Sequence, residues 1–457
     1  MADFTLEEVM RATGASVEHE APVHFSSVET DTRRLLPGAL FVALRGERFK
    51  GEAFAADAVQ KGAAGVLLCE GTAEETCAAL PVPLLRVPDT LVAYQALAHA
   101  WRMKFSLPVV AITGSNGKTT TKDLTASVLG AAWPVLKTEA NFNNEVGLPL
   151  TLLQLTSEHR AAVVEIGMRG LGQIAALAPV AAPSIGVVTN VGETHIELLG
   201  TVENIARAKG ELVEAIPSGG TVVLNADDPR VAAMVNLCRA GVRVVTFGIE
   251  KDAVVRGFDL ATAEGSTRFC ASFDGGARVA FTLPLAGRHN VYNALAALAV
   301  GWVLGVSPDA MRSGLARAEV TGQRFECYEK NGCTIINDAY NASPASMAAA
   351  LTTLAETARE RRVAVLGDML ELGAIAREAH RRVGEEAAAA GVALLLTCGV
   401  LGQDIAVAAR AAGVSEVHAC SSHEEAGTLL KEKIQPGDTI LFKGSHGMQM
   451  DKLIDFI

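Results

Sequence analysis

Gly114, Ser115, Asn116, Gly117, Lys118, Thr119 and Thr120 follow the apolar run Val109-Val110-Ala111-Ile112-Thr113 and precede a helical pattern with Leu124, Val128 and Leu129 on one face. Residues of these types, in this order, suit the binding of a polyphosphate. The two glycines let backbone N–H groups approach an anion, and the start of the helix adds its positive end. Lys118 can reach the outer phosphates, and the Thr119 hydroxyl suits Mg²⁺. The usual P-loop pattern places a glycine five positions before Gly117, where this chain has Ile112, so the match is to a shortened variant. The bland alternative is a glycine-rich turn, and the sequence of strand, loop, Gly-Lys-Thr and helix argues against it.

Other candidate residues stand at the ends of further apolar runs. Glu165 lies near the end of Ala161 to Ile166, Asn190 closes Ile185 to Asn190, and His195 follows a few residues later. A carboxylate and an imidazole near a triphosphate are reasonable Mg²⁺ ligands, directly or through water. Each alone suits a structural role equally well; placed beside the phosphate loop, metal binding is the better reading. Lys209 sits in a helical pattern beyond His195, and spacing alone reads it as a solvated lysine. Asn290 and Asn293 are one helical turn apart, so both could present amides to a base or simply cap the helix. The loop Thr30-Asp31-Thr32-Arg33 could grip a charged ligand, or be a capped turn with a surface ion pair.

The elements that must position these residues form an α/β pattern. A chain of 457 residues exceeds one core, and at roughly 150 residues per domain it suggests about three. Residues 1–86 read as a small α/β domain, and Asp89 caps a joining helix that runs through Trp101 with Leu91, Tyr94, Leu97 and Ala98 on its apolar side. Residues 87–313 read as a central parallel-sheet domain, whose strands are near-continuous apolar runs, including Thr221 to Asn225 and Arg243 to Phe247. Residues 314–457 alternate strands and helices in a Rossmann-like pattern but lack G-x-G-x-x-G, so no dinucleotide site is read there. This third domain is expected to close over the nucleotide.

Composition narrows the function classes. The 49% of hydrophobic residues is broken by polar residues throughout, so no membrane span is expected. The acidic start, Ala2-Asp3-Phe4-Thr5-Leu6-Glu7-Glu8, does not read as a signal peptide. Eight scattered cysteines without a C-x-x-C pair suit free thiols in a reducing cytoplasm. A net charge of −11 argues against a nucleic-acid partner.

Together, Thr113 to Thr119, Glu165-Ile166-Gly167, His195-Ile196-Glu197, Ala208-Lys209, Gly287 to Asn293, Arg324 and Asn337-Asp338-Ala339-Tyr340 resemble the motif series of the Mur ligases of peptidoglycan synthesis, over nearly the whole chain. Thr138 to Pro149 and Gly367-Asp368-Met369-Leu370-Glu371-Leu372-Gly373 resemble the branch that adds D-alanyl-D-alanine to a UDP-N-acetylmuramoyl tripeptide. The resemblance implies a UDP-substrate-binding domain, a P-loop ATPase-like domain and a C-terminal ligase domain, using ATP and Mg²⁺ through an acyl phosphate. It implies Lys118, Glu165, His195 and Lys209 as catalytic residues. Thr119, Glu165, His195 and Lys209 would hold metal, the lysine as a carbamate. Asn290 and Asn293 would contact the adenine side, and Arg324 and Asp338 would approach ATP from the closing domain. Asn141, Asn143 and Asn144 would line the muramoyl-peptide path, while Thr30, Asp31, Thr32, Arg33 and Phe41 would hold the uridine diphosphate. The enzyme would be cytoplasmic and monomeric. Two residues depart from the family pattern: Ser343 stands where an asparagine is common, and His446 where an arginine is common. Competing readings are a folylpolyglutamate synthase of the same superfamily, an NTP-driven switch or kinase, and a non-catalytic nucleotide-binding module. The residues before the joining helix and the Asn141 to Pro149 motif argue against the folate ligase.

Overall fold

A computed structural model of the chain describes residues 2–19, 21–46, 50–73, 80–263, 265–322 and 324–457. It divides into two compact units, one of Met1–Ala111, Trp133–Ile166 and Ala175–Pro183, the other of Ile112–Ala132, Gly167–Ile174 and Ser184–Ile457.

The first unit contains a five-stranded sheet in the order Ser16–Glu18, Leu84–Val87, Gly65–Cys69, Ala39–Val42, Ser27–Glu29. Every pairing is parallel except that of Ser16–Glu18 with Leu84–Val87. Phe41, Val66, Leu68 and Leu84 pack into its core. Helix Thr90–Arg102 starts where the Asp89 carboxylate accepts from the N–H groups of Leu91 and Val92, at 2.7 and 3.1 Å. Its buried side carries Tyr94, Leu97, Ala98 and Trp101. The far end is anchored by polar bonds, for Trp101 Nε1 donates to the Leu155 carbonyl at 3.0 Å and the buried Arg102 guanidinium donates to four carbonyls, those of Phe105, Leu107, Ala181 and Ala182.

Nine strands form the central sheet, in the order Val279–Leu283, Ser266–Phe273, Val255–Ala263, Arg243–Gly248, Thr221–Asn225, Ile185–Val188, Val109–Thr113, Ala161–Glu165, Val135–Lys137. Strand Val109–Thr113 belongs to both units, its first three residues to one and its last two to the other. Parallel pairing, as expected, joins Val135–Lys137 to Ala161–Glu165 and runs from Ile185–Val188 through to the start of Val255–Ala263; Val255–Ala263, Ser266–Phe273 and Val279–Leu283 then pair antiparallel as a meander. Val255–Ala263 passes from buried at Val255 and Gly257 to exposed at Asp259, Ala261 and Ala263, and lacks the continuous apolar run of the strands at the sheet's centre.

The C-terminal sheet, within the second unit, runs Glu326–Lys330, Cys333–Asn337, Thr439–Lys443, Arg362–Gly367, Leu394–Cys398, Glu416–Cys420, and only its first pair is antiparallel. Successive strand residues alternate between two cores. Ile336, Leu366, Leu395 and Leu441 face Leu351, Val383 and Ile405, whereas Ile335, Val365, Leu396 and Phe442 face Leu430 and Leu453. The loops after three strands then meet at one edge: Lys443 Nζ pairs with Asp338 at 2.6 Å, and Ser445 N–H donates to the Asp368 carbonyl at 3.0 Å. Among the described residues no helix is long and apolar enough to cross a membrane. The seven described cysteines are free thiols, as expected; Cys77 lies outside the described residues.

Candidate active site

The phosphate loop has the conformation its glycines permit. Gly114 has φ +153° and Gly117 φ +78°, and a Cβ at either would collide, with Thr189 Oγ1 in the first case and Asn293 Oδ1 in the second. Helix Lys118–Gly130 begins directly after Gly117, so its positive end lies at the loop. Lys118 Nζ donates back to the carbonyls of Gly114, at 2.8 Å, and Ser115, at 3.3 Å. Thr119 and Thr120, in the first turn, are buried.

A second loop braces the first. Ser115 N–H donates to the Asn190 carbonyl and Asn116 N–H to Asn190 Oδ1, while Asn190 Nδ2 and Thr189 Oγ1 both donate to the Asn116 carbonyl. Ser115 Oγ accepts from Gly192 N–H at 2.9 Å. Asn190 was visible in the sequence only as the end of a strand; here its amide is the clasp of the phosphate loop.

His195 follows on the same loop with φ +64°, and its Nδ1 is hydrogen-bonded to the Glu371 carboxylate. Burial lowers the His195 pKa against the opposing pull of Glu371, and Lys118 and Lys209 lower it further. Lys209, in helix Val202–Ala215, is only 2% exposed, which overturns its reading as a solvated lysine. Burial, followed by repulsion from Lys118, pushes its amine well below the ordinary lysine value. The charge of Lys118 disfavours protonation of both His195 and Lys209, a repulsion that an anion such as a triphosphate would relieve.

Asn290 and Asn293 are buried behind this loop. Asn290 Nδ2 donates to the Ala286 carbonyl, Asn293 Nδ2 to Asn290 Oδ1, and Thr121 Oγ1 to Asn293 Oδ1, so the pair buttresses Gly117 and the first turn of its helix. From the C-terminal segment, Ser343 caps helix Pro344–Thr357 and its hydroxyl donates to Asn116 Oδ1 at 2.9 Å. The departure at Ser343 therefore still makes a polar contact to the loop. The His446 and Tyr340 rings are tilted by 42° with centroids 5.5 Å apart, and the Arg324 guanidinium lies over the same Tyr340 ring, 4.0 Å from its centroid. Asp338 is engaged by Lys443, a residue sequence reasoning did not single out.

The remaining candidates lie in the first unit. Glu165 ends its strand 2% exposed, with its carboxylate accepting from Asn143 Nδ2 at 2.7 Å. Asn144 Oδ1 accepts from the N–H of Gly147, the first residue of helix Gly147–Leu152, while Asn141 is exposed. Asp31 and Arg33 pair with each other at 2.6 Å, which holds the Asp31 carboxyl down at about 2. Thr32 is buried, and Phe41 belongs to the core, leaving its backbone alone for any ligand.

Among the described residues no three His, Cys, Asp or Glu side chains form a metal cage. Mg²⁺ bound with a nucleotide needs none, because it takes one or two protein oxygens and completes its octahedron with phosphate and water. In the second unit the buried Thr119 hydroxyl is an oxygen ligand of that kind.

Fold and loop together define an α/β protein built to hold a nucleotide polyphosphate, with a C-terminal segment that reaches the phosphate loop. The Mur ligase family catalytic domain matches residues 24–102, the Mur ligase middle domain residues 112–301, and the Mur ligase glutamate ligase domain residues 323–446. The chain belongs to the Mur ligase family. It is 40% identical over 436 residues to the UDP-N-acetylmuramoyl-tripeptide–D-alanyl-D-alanine ligase of Synechocystis sp., covering 94% of this chain and 92% of that one. The crystal structure of MurF from Acinetobacter baumannii matches with TM-score 0.91 and 30% identity, over 100% of this chain and 98% of that one. MurF ligase from Thermotoga maritima in complex with ADP matches with TM-score 0.84 and 27% identity, over 94% and 96%.

Proposed function

We propose that the chain is an ADP-forming, ATP-dependent ligase that joins D-alanyl-D-alanine to UDP-N-acetylmuramoyl-tripeptide in peptidoglycan precursor synthesis. The observation that carries this reading is near-full-length likeness to relatives named for that reaction, on a chain whose residues 114–117 form a braced glycine loop at the start of helix Lys118–Gly130. The tripeptide's terminal carboxylate is a poor electrophile at neutral pH. Transfer of the γ-phosphoryl group of ATP to it gives an acyl phosphate and ADP; the dipeptide amine attacks the acyl carbon, and the tetrahedral intermediate expels phosphate as the amide forms. Little covalent work is left to the protein beyond positioning and charge neutralisation.

Each candidate then has a role. Lys118 exchanges its bonds to the Gly114 and Ser115 carbonyls for the transferring phosphoryl oxygens, and residues 114–120 cradle the rest of the triphosphate. Thr119, Glu165, His195 and Lys209 hold Mg²⁺, which when bound neutralises phosphate charge. Lys209 serves there as a carbamate, formed when its neutral amine adds CO₂ and releases a proton; burial, which favours the neutral amine, supports that step. Asn290 and Asn293 serve the adenine side, and Arg324 and Asp338 meet ATP from the C-terminal part. Asn141, Asn143 and Asn144 line the muramoyl-peptide path, and the Thr30 to Arg33 loop with the Phe41 backbone holds the uridine diphosphate. Residues 1–86, 87–313 and 314–457 form the UDP-substrate, ATP-binding and ligase domains of a monomeric cytoplasmic enzyme. The test is ADP release by the purified chain, which should require both the UDP-muramoyl tripeptide and D-alanyl-D-alanine. Equal release with either alone would reject the reading.

A further inference from the structure

The stretch Gly367 to Gly373 enters none of the steps above, yet it grips the loop that carries His195. The Glu371 carboxylate is hydrogen-bonded to His195 Nδ1, and the Glu371 carbonyl accepts from Glu197 N–H at 3.2 Å. Arg382, on helix Ala376–Ala389, donates to Glu193 at 3.1 Å. Residues 193–197 are therefore held at three points by one segment of the C-terminal part.

The gripping segment is itself pinned. Met369 N–H donates to His380 Nε2 at 2.9 Å, and Leu370 N–H donates to Ser445 Oγ at 2.9 Å. His380 Nδ1 donates to the Ala376 carbonyl at 2.6 Å, which leaves its Nε2 free to accept. Glu371 follows with φ +61°, a left-handed backbone that a non-glycine residue adopts at some cost. Core packing does not demand this, since the Glu371 side chain is 39% exposed. What the conformation achieves is to bring one residue's carboxylate and carbonyl to bear on residues 195 and 197 together.

We propose that Glu371 is a positioning residue for the ligation: by accepting from Nδ1 it fixes the tautomer and ring orientation of His195, and it does so only while the C-terminal segment is seated on the 193–197 loop. This rests on the ligase reading above. A carboxylate can only accept, so the single proton of a neutral imidazole is drawn to Nδ1 and Nε2 is left with its lone pair. Removing the carboxylate lets the ring turn and the proton move to Nε2. Loss of such a partner behind a functional histidine costs on the order of 10–100-fold.

The test compares the full chain with Glu371→Ala and Glu371→Gln, by steady-state kinetics and by NMR of isotope-labelled histidine, with the His195 signal assigned by its absence in His195→Gln. Glu371→Ala should lower kcat about 10–100-fold while KM for D-alanyl-D-alanine changes little. Its His195 signal should shift from the Nδ1–H form towards a mixture of tautomers. Glu371→Gln, whose amide oxygen can still accept, should recover much of both. An unchanged kcat in Glu371→Ala, or a fall in kcat with the His195 signal unmoved, would overturn the proposal. The NMR comparison needs no turnover, so a wild-type chain that releases no ADP with both substrates would be seen separately, as failure of the ligase reading.

Discussion

Gly117→Ala puts one methyl group where the structure has no room for it. The residue sits at φ +78°, and placing alanine there costs about 1–2 kcal/mol. Its Cβ would also strike Asn293 Oδ1, which is held by Thr121 Oγ1 at 3.2 Å while the Asn293 amide nitrogen donates to Asn290. Swinging that amide aside gives up both hydrogen bonds, each worth about 0.5–1.5 kcal/mol net. The loop conformation is then disfavoured by about 2–5 kcal/mol in total, and ADP affinity should fall from about 30-fold to about 4,000-fold, because only the competent loop binds. Titration calorimetry with ADP measures this directly. Asn293→Ala alone should lose the hydrogen bonds without the strain, and the double variant should be less impaired than the two singles combined, since the collision is gone. Gly117→Ala binding ADP within threefold of wild type would refute the steric reasoning.

Lys118→Ala should cost on the order of 10²-fold or more in turnover at saturating ATP with the fold unchanged by circular dichroism, and near-normal turnover would exclude the lysine from phosphate stabilisation. Lys209→Ala should lose most activity, and acetate or formate should restore part of it by filling the place of the carbamate; full activity without any acid would reject an essential role. His289, whose ring lies 5.2 Å from Phe325, is pushed down to about 4 by burial, with Asp338 opposing and Lys443 adding to the shift. Between that value and the ordinary histidine value of about 6.5 the unfolded chain binds more protons than the folded one, so stability should fall as pH falls, by at most about 1.4 kcal/mol per pH unit. His289→Gln should flatten the thermal midpoint across that window, and an unaltered slope would show that His289 does not titrate there.

Local signals made much of the fold legible. Val109–Thr113 and Thr221–Asn225 were readable to the residue because strands buried on both faces are apolar runs, and the start of helix Thr90–Arg102 because Asp89 marks it; the helix ends one residue beyond the expected Trp101. The meander from Val255 was missed because its first strand leaves the core along its length and carries Arg256 and Asp259 among its apolar residues, a weaker pattern than a run. In the site, the glycines and Lys118 were visible because the loop is contiguous in sequence. The burial of Lys209 was not, since a helix lysine looks the same from sequence whether its face meets water or a packed loop. The bond between His195 and Glu371 spans 176 residues, and no local spacing encodes it. Asn290 and Asn293 were located but not their packing, which depends on how closely Gly117 lets their helix approach.

The acyl phosphate can be followed by one label. Purified chain is given ATP, D-alanyl-D-alanine and UDP-N-acetylmuramoyl-tripeptide whose terminal carboxylate carries heavy oxygen, and the released phosphate is weighed by mass spectrometry. Phosphorylation of the carboxylate followed by amine attack must leave one labelled oxygen in each phosphate released and one in the new amide. Phosphate without label, alongside product formed at the normal rate, would contradict the acyl-phosphate mechanism.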